Sequence, residues 1–383
     1  MSAQILNLVP YKPGKPIAET QREYNLTEVI KLASNENALG PSPAAIKAME
    51  KWIKEQHIYP DPSSFDLVQK LSQKWSIPVN RIGIGNGSNE IIDLLIRIFC
   101  EPGDSILTSQ AAFVAYQVCA QAARVQVRTV PLKDPLTLDL QAIADDFFQN
   151  TSKKIRMIFI PNPNNPTGTC VGGKEVDAFL QRLGNRDDVL LVFDEAYTEF
   201  VRDPNFKDAL SFQGQYTNVI VIKTFSKVYG LAGLRLGALV APEYVLELFN
   251  RVRNPFNVNS LAQAAGVAAL DDADYIKNSQ KMVWNGLDFW QTNLQRLGLK
   301  YFPSQANFIL VDLNRNAQIC FEYLLRLGVI LRPVANYGFP NYIRISVGLE
   351  SENQKALVAI EKMLADVPPL TSPKSNSSPQ EKK

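Results

Sequence analysis

Apolar residues between about residue 80 and residue 240 occur in short runs separated by amphipathic stretches. Runs such as "VLLVF" and "NVIVI" have the length of strands that helices bury on both faces. Stretches such as "SNEIIDLLIRIFC" and "GKEVDAFLQRL" have the spacing of helices that bury one face. The alternation predicts an α/β fold with a mostly parallel sheet. Seven strands are predicted, in 81–86, 105–109, 124–132, 155–163, 189–197, 218–225 and 235–242.

The pattern changes toward both ends of the chain. A long helix is predicted in 272–298, then strands in 299–313, 329–334 and 341–348, with helices in 317–328 and 351–367. The proline-rich stretch "PYKPGKPIAE" predicts an extended arm before Ser34, and the tail "PPLTSPKSNSSPQEKK" predicts disorder. We therefore expect an arm (1–36) that contributes to the small domain and the active site, a large domain (37–275), a small α+β domain (276–366) and a disordered tail (367–383).

Composition narrows the class of protein. A net charge of +2 does not suggest nucleic acid or an anionic membrane as a partner. No apolar run is long enough to cross a bilayer, and the N-terminus lacks the features of a secretion signal. Four scattered cysteines without a CxxC pair, and a single histidine, His57, predict no metal site and no disulfide framework. We expect a cytoplasmic protein.

Polar residues follow several of the predicted strands. Because parallel strands end at the same edge of a sheet, we expect these residues to lie close together. Asp194 ends the run "VLLVFD", and Tyr197 follows three positions later. Asn165 lies in "IPNPNNPTG", where Pro166 restricts its backbone. Each feature alone also has an ordinary interpretation, as a strand-end aspartate that caps a turn or as a proline-rich loop. Together they indicate a polar crevice.

Two further stretches offer ligands for an anion. "GIGNGSNEIIDLL" is a glycine turn that opens a helix, and "TFSKVYGLAGLRLG" places Lys227 among hydroxyl groups. The phosphate ligands that we predict are Ser88, Asn89, Thr224, Ser226 and Arg235. A lysine beside a phosphate site and a carboxylate predicts a Schiff base with a phosphorylated aldehyde. Burial and nearby positive charge should lower the pKa of its amine.

This combination predicts pyridoxal 5'-phosphate as the cofactor. Lys227 holds it, Asp194 keeps its ring nitrogen protonated, and Asn165 and Tyr197 bind its ring hydroxyl. The alternative outside enzymology is a dinucleotide-binding or regulatory module that uses "GIGNG" as its nucleotide loop. That spacing is not the GxGxxG pattern, and the chain has no P-loop motif.

The motifs "NPTG", "DEAY", "SKVYGLAGLRLG" and "YIRISVG" resemble those of the fold-type-I aminotransferases of class I/II. The earlier motifs "KLASNENALGPSP", "YPDP" and "GNGSNEIIDLL" narrow the resemblance to the histidinol-phosphate aminotransferases within that family. It extends to about Asp366. The resemblance implies a large pyridoxal phosphate-binding domain with a smaller α+β domain. It also implies that Lys227, once freed, moves a proton between the substrate Cα and the cofactor C4′.

The resemblance assigns further residues. Tyr59 would reach the cofactor phosphate of the other subunit, so it implies a homodimer. Phe113 would stack on the cofactor ring, although the proline-threonine-tyrosine often found there is Ala-Ala-Phe in this chain. Arg344, Arg332 and Tyr11 would bind the phosphate of the substrate.

The expected reaction is transamination of L-histidinol phosphate with 2-oxoglutarate, a step of histidine biosynthesis. It gives imidazole-acetol phosphate and L-glutamate by a ping-pong cycle. Two alternatives share the scaffold: an aromatic amino-acid aminotransferase and a threonine-phosphate decarboxylase. Glutamate formation would separate transamination from decarboxylation.

Overall fold

The computed structural model describes residues 3–6, 8, 14–149 and 154–370. Its strands are β1 (Ile30–Lys31), β2 (Ile82–Gly85), β3 (Ser105–Ser109), β4 (Gln126–Val130), β5 (Ile155–Pro161), β6 (Leu190–Asp194), β7 (Val219–Thr224), β8 (Gly237–Val240), β9 (Lys300–Phe302), β10 (Phe308–Asp312), β11 (Val329–Ile330), β12 (Arg332–Val334) and β13 (Phe339–Ser346). Its α-helices are α1 (Ala3–Leu6), α2 (Ile17–Tyr24), α3 (Pro43–Trp52), α4 (Phe65–Trp75), α5 (Ser88–Phe99), α6 (Val114–Ala122), α7 (Leu140–Gln149), α8 (Gly173–Leu183), α9 (Glu243–Val252), α10 (Ser260–Asp271), α11 (Ala273–Arg296), α12 (Ala317–Arg326) and α13 (Glu350–Asp366).

The large sheet has seven strands in the order β2-β8-β7-β6-β5-β3-β4. Strands β3 to β7 run parallel, and β8 is antiparallel to both of its neighbours. Alternate residues of β5 enter different cores, Met157 and Phe159 on one face and Ile158 and Ile160 on the other. Helices therefore cover both faces, which confirms the predicted α/β fold with its mostly parallel seven-stranded sheet.

The small sheet is antiparallel, in the order β12-β13-β10-β9. Helices α11 and α12 contact it, and α13 packs against both of these helices. The α+β character of this part is as predicted. A separate parallel pair, β1 with β11, joins the N-terminal segment to this part of the chain.

The prediction of an extended arm is wrong for part of its length, because α2 forms there. The helix begins directly after Pro16, whose extended backbone suits the position before a helix. Thr20 is buried, and Tyr24 packs against Ala33 and Ile330. This tertiary packing stabilises a short helix that local propensity alone does not indicate.

Helices α4, α9 and α10 lie in stretches for which no element was predicted. Helix α10 packs closely on α3 and α4, with Gly266 set against Leu67. At the other end, the described start of the tail is held to the protein, since Leu370 N donates to Asn314 O at 2.9 Å. The rest of the predicted disordered tail, residues 371–383, lies outside the described residues. No helix among the described residues is long and apolar enough to cross a membrane.

Candidate active site

The carboxyl ends of β5, β6 and β7 and the start of α5 surround a cavity of about 250 Å³. Its lining brings together most of the residues predicted from the sequence: Ser88, Asn89, Phe113, Asn165, Asp194, Tyr197, Thr224, Ser226, Lys227, Arg235 and Arg344. These residues come from six separate stretches of the chain. The crevice expected at the strand ends is therefore present.

Lys227 lies in the turn that follows β7 and is half-buried. Its Nζ lies 3.4 Å from Ser34 O and 5.7 Å from the ring centroid of Tyr197. Burial and the positive charges of Arg344 and Arg235 lower the pKa of the Lys227 amine to about 8. A larger fraction of the amine is therefore neutral and nucleophilic near neutral pH than in an ordinary lysine, and the direction of the shift is the one predicted from the sequence.

Asp194 is the last residue of β6 and is buried. Its Oδ2 accepts a hydrogen bond from the Tyr116 hydroxyl at 2.6 Å, whereas its buried Oδ1 has no partner among the described residues. Burial raises the pKa of Asp194 to about 6, although the Tyr116 bond, the backbone N–H of Ala196 and the charge of Lys227 favour the ionised form. A buried carboxylate oxygen without a donor calls for a ligand that brings one, such as a protonated ring nitrogen.

Asn165 and Arg344 form one wall of the cavity. Arg344 is 6% exposed, and its guanidinium donates from Nη1 to Asn165 Oδ1 at 2.5 Å and from Nη2 to Ala33 O at 2.6 Å. Because Asn165 Oδ1 accepts from Arg344, its Nδ2 is the atom left to donate elsewhere. The arrangement presents an amide donor beside a buried positive charge.

At the end of the cavity that is predicted to bind a phosphate, two glycines allow neighbouring groups to lie very close to the backbone. A Cβ on Gly87 would lie 2.3 Å from Arg235 Nη2, and a Cβ on Gly237 would lie 2.7 Å from Ser88 N. Glycine at these positions lets Arg235 cross the start of α5, where the helix N–H groups lack helical partners. Thr224 fixes the neighbouring turn by accepting from Ser226 N at 3.1 Å. A helix N-terminus with an adjacent guanidinium suits a phosphate group.

Two of the predicted residues, Tyr59 and Arg332, do not line this cavity. Tyr59 is 78% exposed and stacks on Phe256, with ring centroids 4.6 Å apart, beside a second cavity. Arg332 lies opposite Arg344 in the β12–β13 register. Tyr11 lies outside the described residues. Their binding roles stay predictions.

Several residues at the site were not predicted, among them Tyr116 and Asn35. Tyr116 lies in α6, and its ring stacks on Phe159 in the core. Its place three residues after Phe113 is the only signal in the sequence. Asn35 lines the cavity and donates from Nδ2 to the Tyr197 hydroxyl at 3.1 Å. Nothing in its local sequence indicates that contact.

These features fit pyridoxal 5'-phosphate. The cavity combines an amine of lowered pKa, a buried carboxylate oxygen without a donor, and an anion site at a helix start. A pyridoxal phosphate molecule offers the matching aldehyde, ring nitrogen and phosphate. Phe113 adds an aromatic ring to the same lining.

Comparison with known proteins agrees with this geometry. The family described as aminotransferase class I and II matches residues 27–360. A histidinol-phosphate aminotransferase of Bdellovibrio bacteriovorus is 56% identical over 97% of this chain and 100% of its own length. One from Anaeromyxobacter is 45% identical over 94% of this chain and 98% of its own. The crystal structure of the Sinorhizobium meliloti histidinol-phosphate aminotransferase in complex with pyridoxal 5'-phosphate superposes with a TM-score of 0.85. That protein is 26% identical in sequence to this chain, and the match covers 95% of this chain and 97% of the other.

Proposed function

The chain belongs to the class I and II aminotransferases, and from that premise we propose that it transfers the amino group of L-histidinol phosphate to 2-oxoglutarate. The products are imidazole-acetol phosphate and L-glutamate, as in a step of histidine biosynthesis. We propose L-histidinol phosphate as the amino donor because the chain is similar over nearly its full length to relatives that are named for this substrate. The cavity supports the reaction type, because it holds the amine, carboxylate and anion site that amino transfer requires.

Each residue of the lining has a defined task toward the cofactor. Lys227 would bind it covalently, and Asp194 Oδ1 would accept a hydrogen bond from its protonated ring nitrogen, which keeps that nitrogen protonated. The N–H groups at the start of α5, with Thr224, Ser226 and Arg235, hold its phosphate, and Phe113 stacks on its ring. Bound in this way, pyridoxal phosphate supplies an acceptor for the electron pair released at the substrate Cα.

Lys227 has a second task as the proton carrier. When it is not bonded to the cofactor, the Lys227 amine would be free in the cavity. With a pKa lowered to about 8, that amine can take a proton from the substrate Cα and return it to the cofactor C4′. Its approach to Ser34 O, at 3.4 Å, keeps Nζ on one side of the cavity.

The substrate phosphate is assigned to Arg344. L-Histidinol phosphate has no α-carboxylate, so the buried guanidinium that binds this group in amino-acid aminotransferases would bind a phosphate here. Arg332 and Tyr11 are the further candidates, from the resemblance. Arg344 lies over the ring of Phe308, 5.1 Å from its centroid, which fixes the plane of the guanidinium.

The active unit is a homodimer in this proposal. Large apolar side chains, including Trp52, Ile53, Ile58 and Tyr59, are 47–78% exposed near the second cavity. A cluster of this kind favours a protein partner. Sedimentation at micromolar concentration tests the assembly, and a fully active monomer would refute it. We also propose that the enzyme is cytoplasmic and that its large and small domains divide near residue 275.

The test is glutamate formation from 2-oxoglutarate with L-histidinol phosphate as donor. We expect turnover by the purified protein and none by Lys227→Ala, although the variant retains the fold. L-Phenylalanine as the better donor would favour the aromatic aminotransferase. Release of carbon dioxide from L-threonine phosphate without glutamate formation would favour the decarboxylase.

A further inference from the structure

A buried hydrogen-bond network connects the N-terminal segment to the cavity through Asn35. This residue is 1% exposed and has a left-handed backbone, with φ 56°. Its backbone N donates to Ser346 Oγ at 2.9 Å, and its carbonyl O accepts from Asn307 Nδ2 at 3.0 Å. Its side chain contacts Ser346 Oγ at 2.8 Å through Oδ1 and the Tyr197 hydroxyl at 3.1 Å through Nδ2.

The donors and acceptors of this network form one consistent set. A backbone N–H can only donate, so Ser346 Oγ is an acceptor toward Asn35 N. The Ser346 hydroxyl donates to Asn35 Oδ1 at 2.8 Å, so that atom is the carbonyl oxygen of the amide. The NH₂ group of Asn35 consequently faces Tyr197 and can only donate to it.

The consequence concerns the proton of the Tyr197 hydroxyl. Its oxygen already accepts from Asn35, and no described residue accepts its proton. Tyr197 lines the cavity, so the proton is available to an acceptor placed there. Burial raises the pKa of Tyr197 to about 12, so the hydroxyl remains protonated and a donor at physiological pH.

We propose that Asn35 is a positioning residue that turns the hydroxyl proton of Tyr197 into the cavity, toward the ring oxygen of the cofactor. The backbone explains why asparagine occupies this position. Asparagine tolerates a positive φ better than most residues, whereas glycine would tolerate it but carry no donor. The inference depends on the proposed contact between Tyr197 and the cofactor, and it is independent of which amino donor the enzyme uses.

The proposal has a spectroscopic consequence. A hydrogen bond donated to the ring oxygen stabilises its negative charge and weakens its hold on the proton of Lys227 Nζ. Loss of that bond should raise the pH at which the visible absorbance of the bound cofactor changes. The other charged or titratable groups that act on Tyr197 are Arg344, Asp194 and Tyr337, with Lys227 over its ring.

The experiment is a double-mutant cycle on the holoenzyme, read as the pH midpoint of the cofactor absorbance. The changes are Asn35→Asp and Asn35→Gly, each made alone and together with Tyr197→Phe. Aspartate keeps the shape but can only accept, so the Tyr197 proton would turn away from the cofactor. We expect Asn35→Asp and Tyr197→Phe each to raise the midpoint by about one pH unit, the size expected for one lost hydrogen bond.

Asn35→Gly is the matched control, because it suits the left-handed backbone and removes only the side chain. We expect it to raise the midpoint by a smaller amount in the wild-type background and not at all with Tyr197→Phe. The effect of the added negative charge on the midpoint is measured by making Asn35→Asp in the Tyr197→Phe background. That effect is then subtracted from the shift that Asn35→Asp causes in the wild-type background. If Asn35→Asp does not fold, the cycle that combines Asn35→Gly with Tyr197→Phe tests the proposal by itself.

Equal shifts in both backgrounds would overturn the inference, because Asn35 would then act without Tyr197. An unchanged midpoint in Tyr197→Phe would also overturn it. Neither result would affect the proposed reaction, which glutamate formation by the wild-type enzyme tests separately. The thermal unfolding of each variant is measured in parallel, so that a shift of the pH midpoint caused by a damaged fold is recognised.

Discussion

Replacing Tyr116 with phenylalanine should change the ionisation of Asp194. The substitution removes one hydroxyl and keeps the ring that stacks on Phe159 at 4.6 Å. Asp194 loses the 2.6 Å bond to its Oδ2 while its Oδ1 still has no described partner. Since that bond favours the charged form, its loss raises the pKa of Asp194 above its value of about 6.

The size of the effect follows from the type of bond. A hydrogen bond to a charged group contributes roughly 1.5–3 kcal/mol. One pKa unit corresponds to about 1.4 kcal/mol, so the expected rise is about one to two units. Asp194 would then be about half to nine-tenths protonated at pH 7 in the apoenzyme, and the protonated form has no negative charge to pair with a protonated ring nitrogen.

The assay is cofactor binding to the apoenzyme over a range of pH. At pH 7 we expect Tyr116→Phe to bind pyridoxal phosphate about two- to tenfold more weakly than the wild type, the loss of ionised Asp194 that follows from a rise of one to two units. The difference should shrink as the pH rises and Asp194 ionises in both proteins. Titration of Lys227 and of the cofactor phosphate contributes similarly to both and largely cancels in the ratio.

A matched control is Tyr323→Phe, which removes the hydroxyl of a surface tyrosine bonded to Asp366. We expect it to bind the cofactor like the wild type at every pH. The reasoning is refuted if Tyr116→Phe and the wild type show the same affinity and the same pH dependence.

Three further predictions concern the same cavity. The rate of cofactor incorporation should rise with pH and then level off, with its midpoint near the Lys227 pKa of about 8. Arg344→Gln should move that midpoint upward, because Arg344 lowers this pKa. Stopped-flow absorbance measures the midpoint in the wild type and in the variant. Arg344→Gln should also raise KM for histidinol phosphate about ten- to a hundredfold in steady-state kinetics, the loss expected for one charge-assisted hydrogen bond, and an unchanged KM would contradict the assignment. Gly237→Ala should weaken cofactor binding, because its Cβ would lie 2.7 Å from Ser88 N, whereas Gly233→Ala, which meets nothing within 4 Å, should bind normally in the same titration.

Most of the sheet could be predicted from the sequence because several of its strands are apolar runs, although β4, with the sequence QVRTV, is not. Strands β3, β6, β7 and β8 are buried at every position, which makes their pattern strong. The residues at the ends of β6 and β7 followed from the rule that parallel strands present their carboxyl ends at one edge. That rule placed Asp194 and Lys227 in one cavity without any knowledge of their contacts.

The residues that were missed depend on contacts between distant parts of the chain. Asn35 meets Ser346 across 311 positions, and Tyr116 meets Asp194 across 78. No local pattern encodes such pairs. Helix α2 was missed because prolines near it indicate extended backbone, while the packing of Tyr24 against Ile330 that favours the helix is tertiary.

The measurement that tests the account most directly is the cofactor spectrum of the purified enzyme after one amino donor is added without 2-oxoglutarate. L-Histidinol phosphate should convert the cofactor to its amino form at micromolar concentration, and L-phenylalanine should do so only slowly. Faster conversion by L-phenylalanine would contradict the proposed substrate. A protein that shows no cofactor band even after pyridoxal phosphate is supplied would contradict the assignment of Lys227 and the cavity around it.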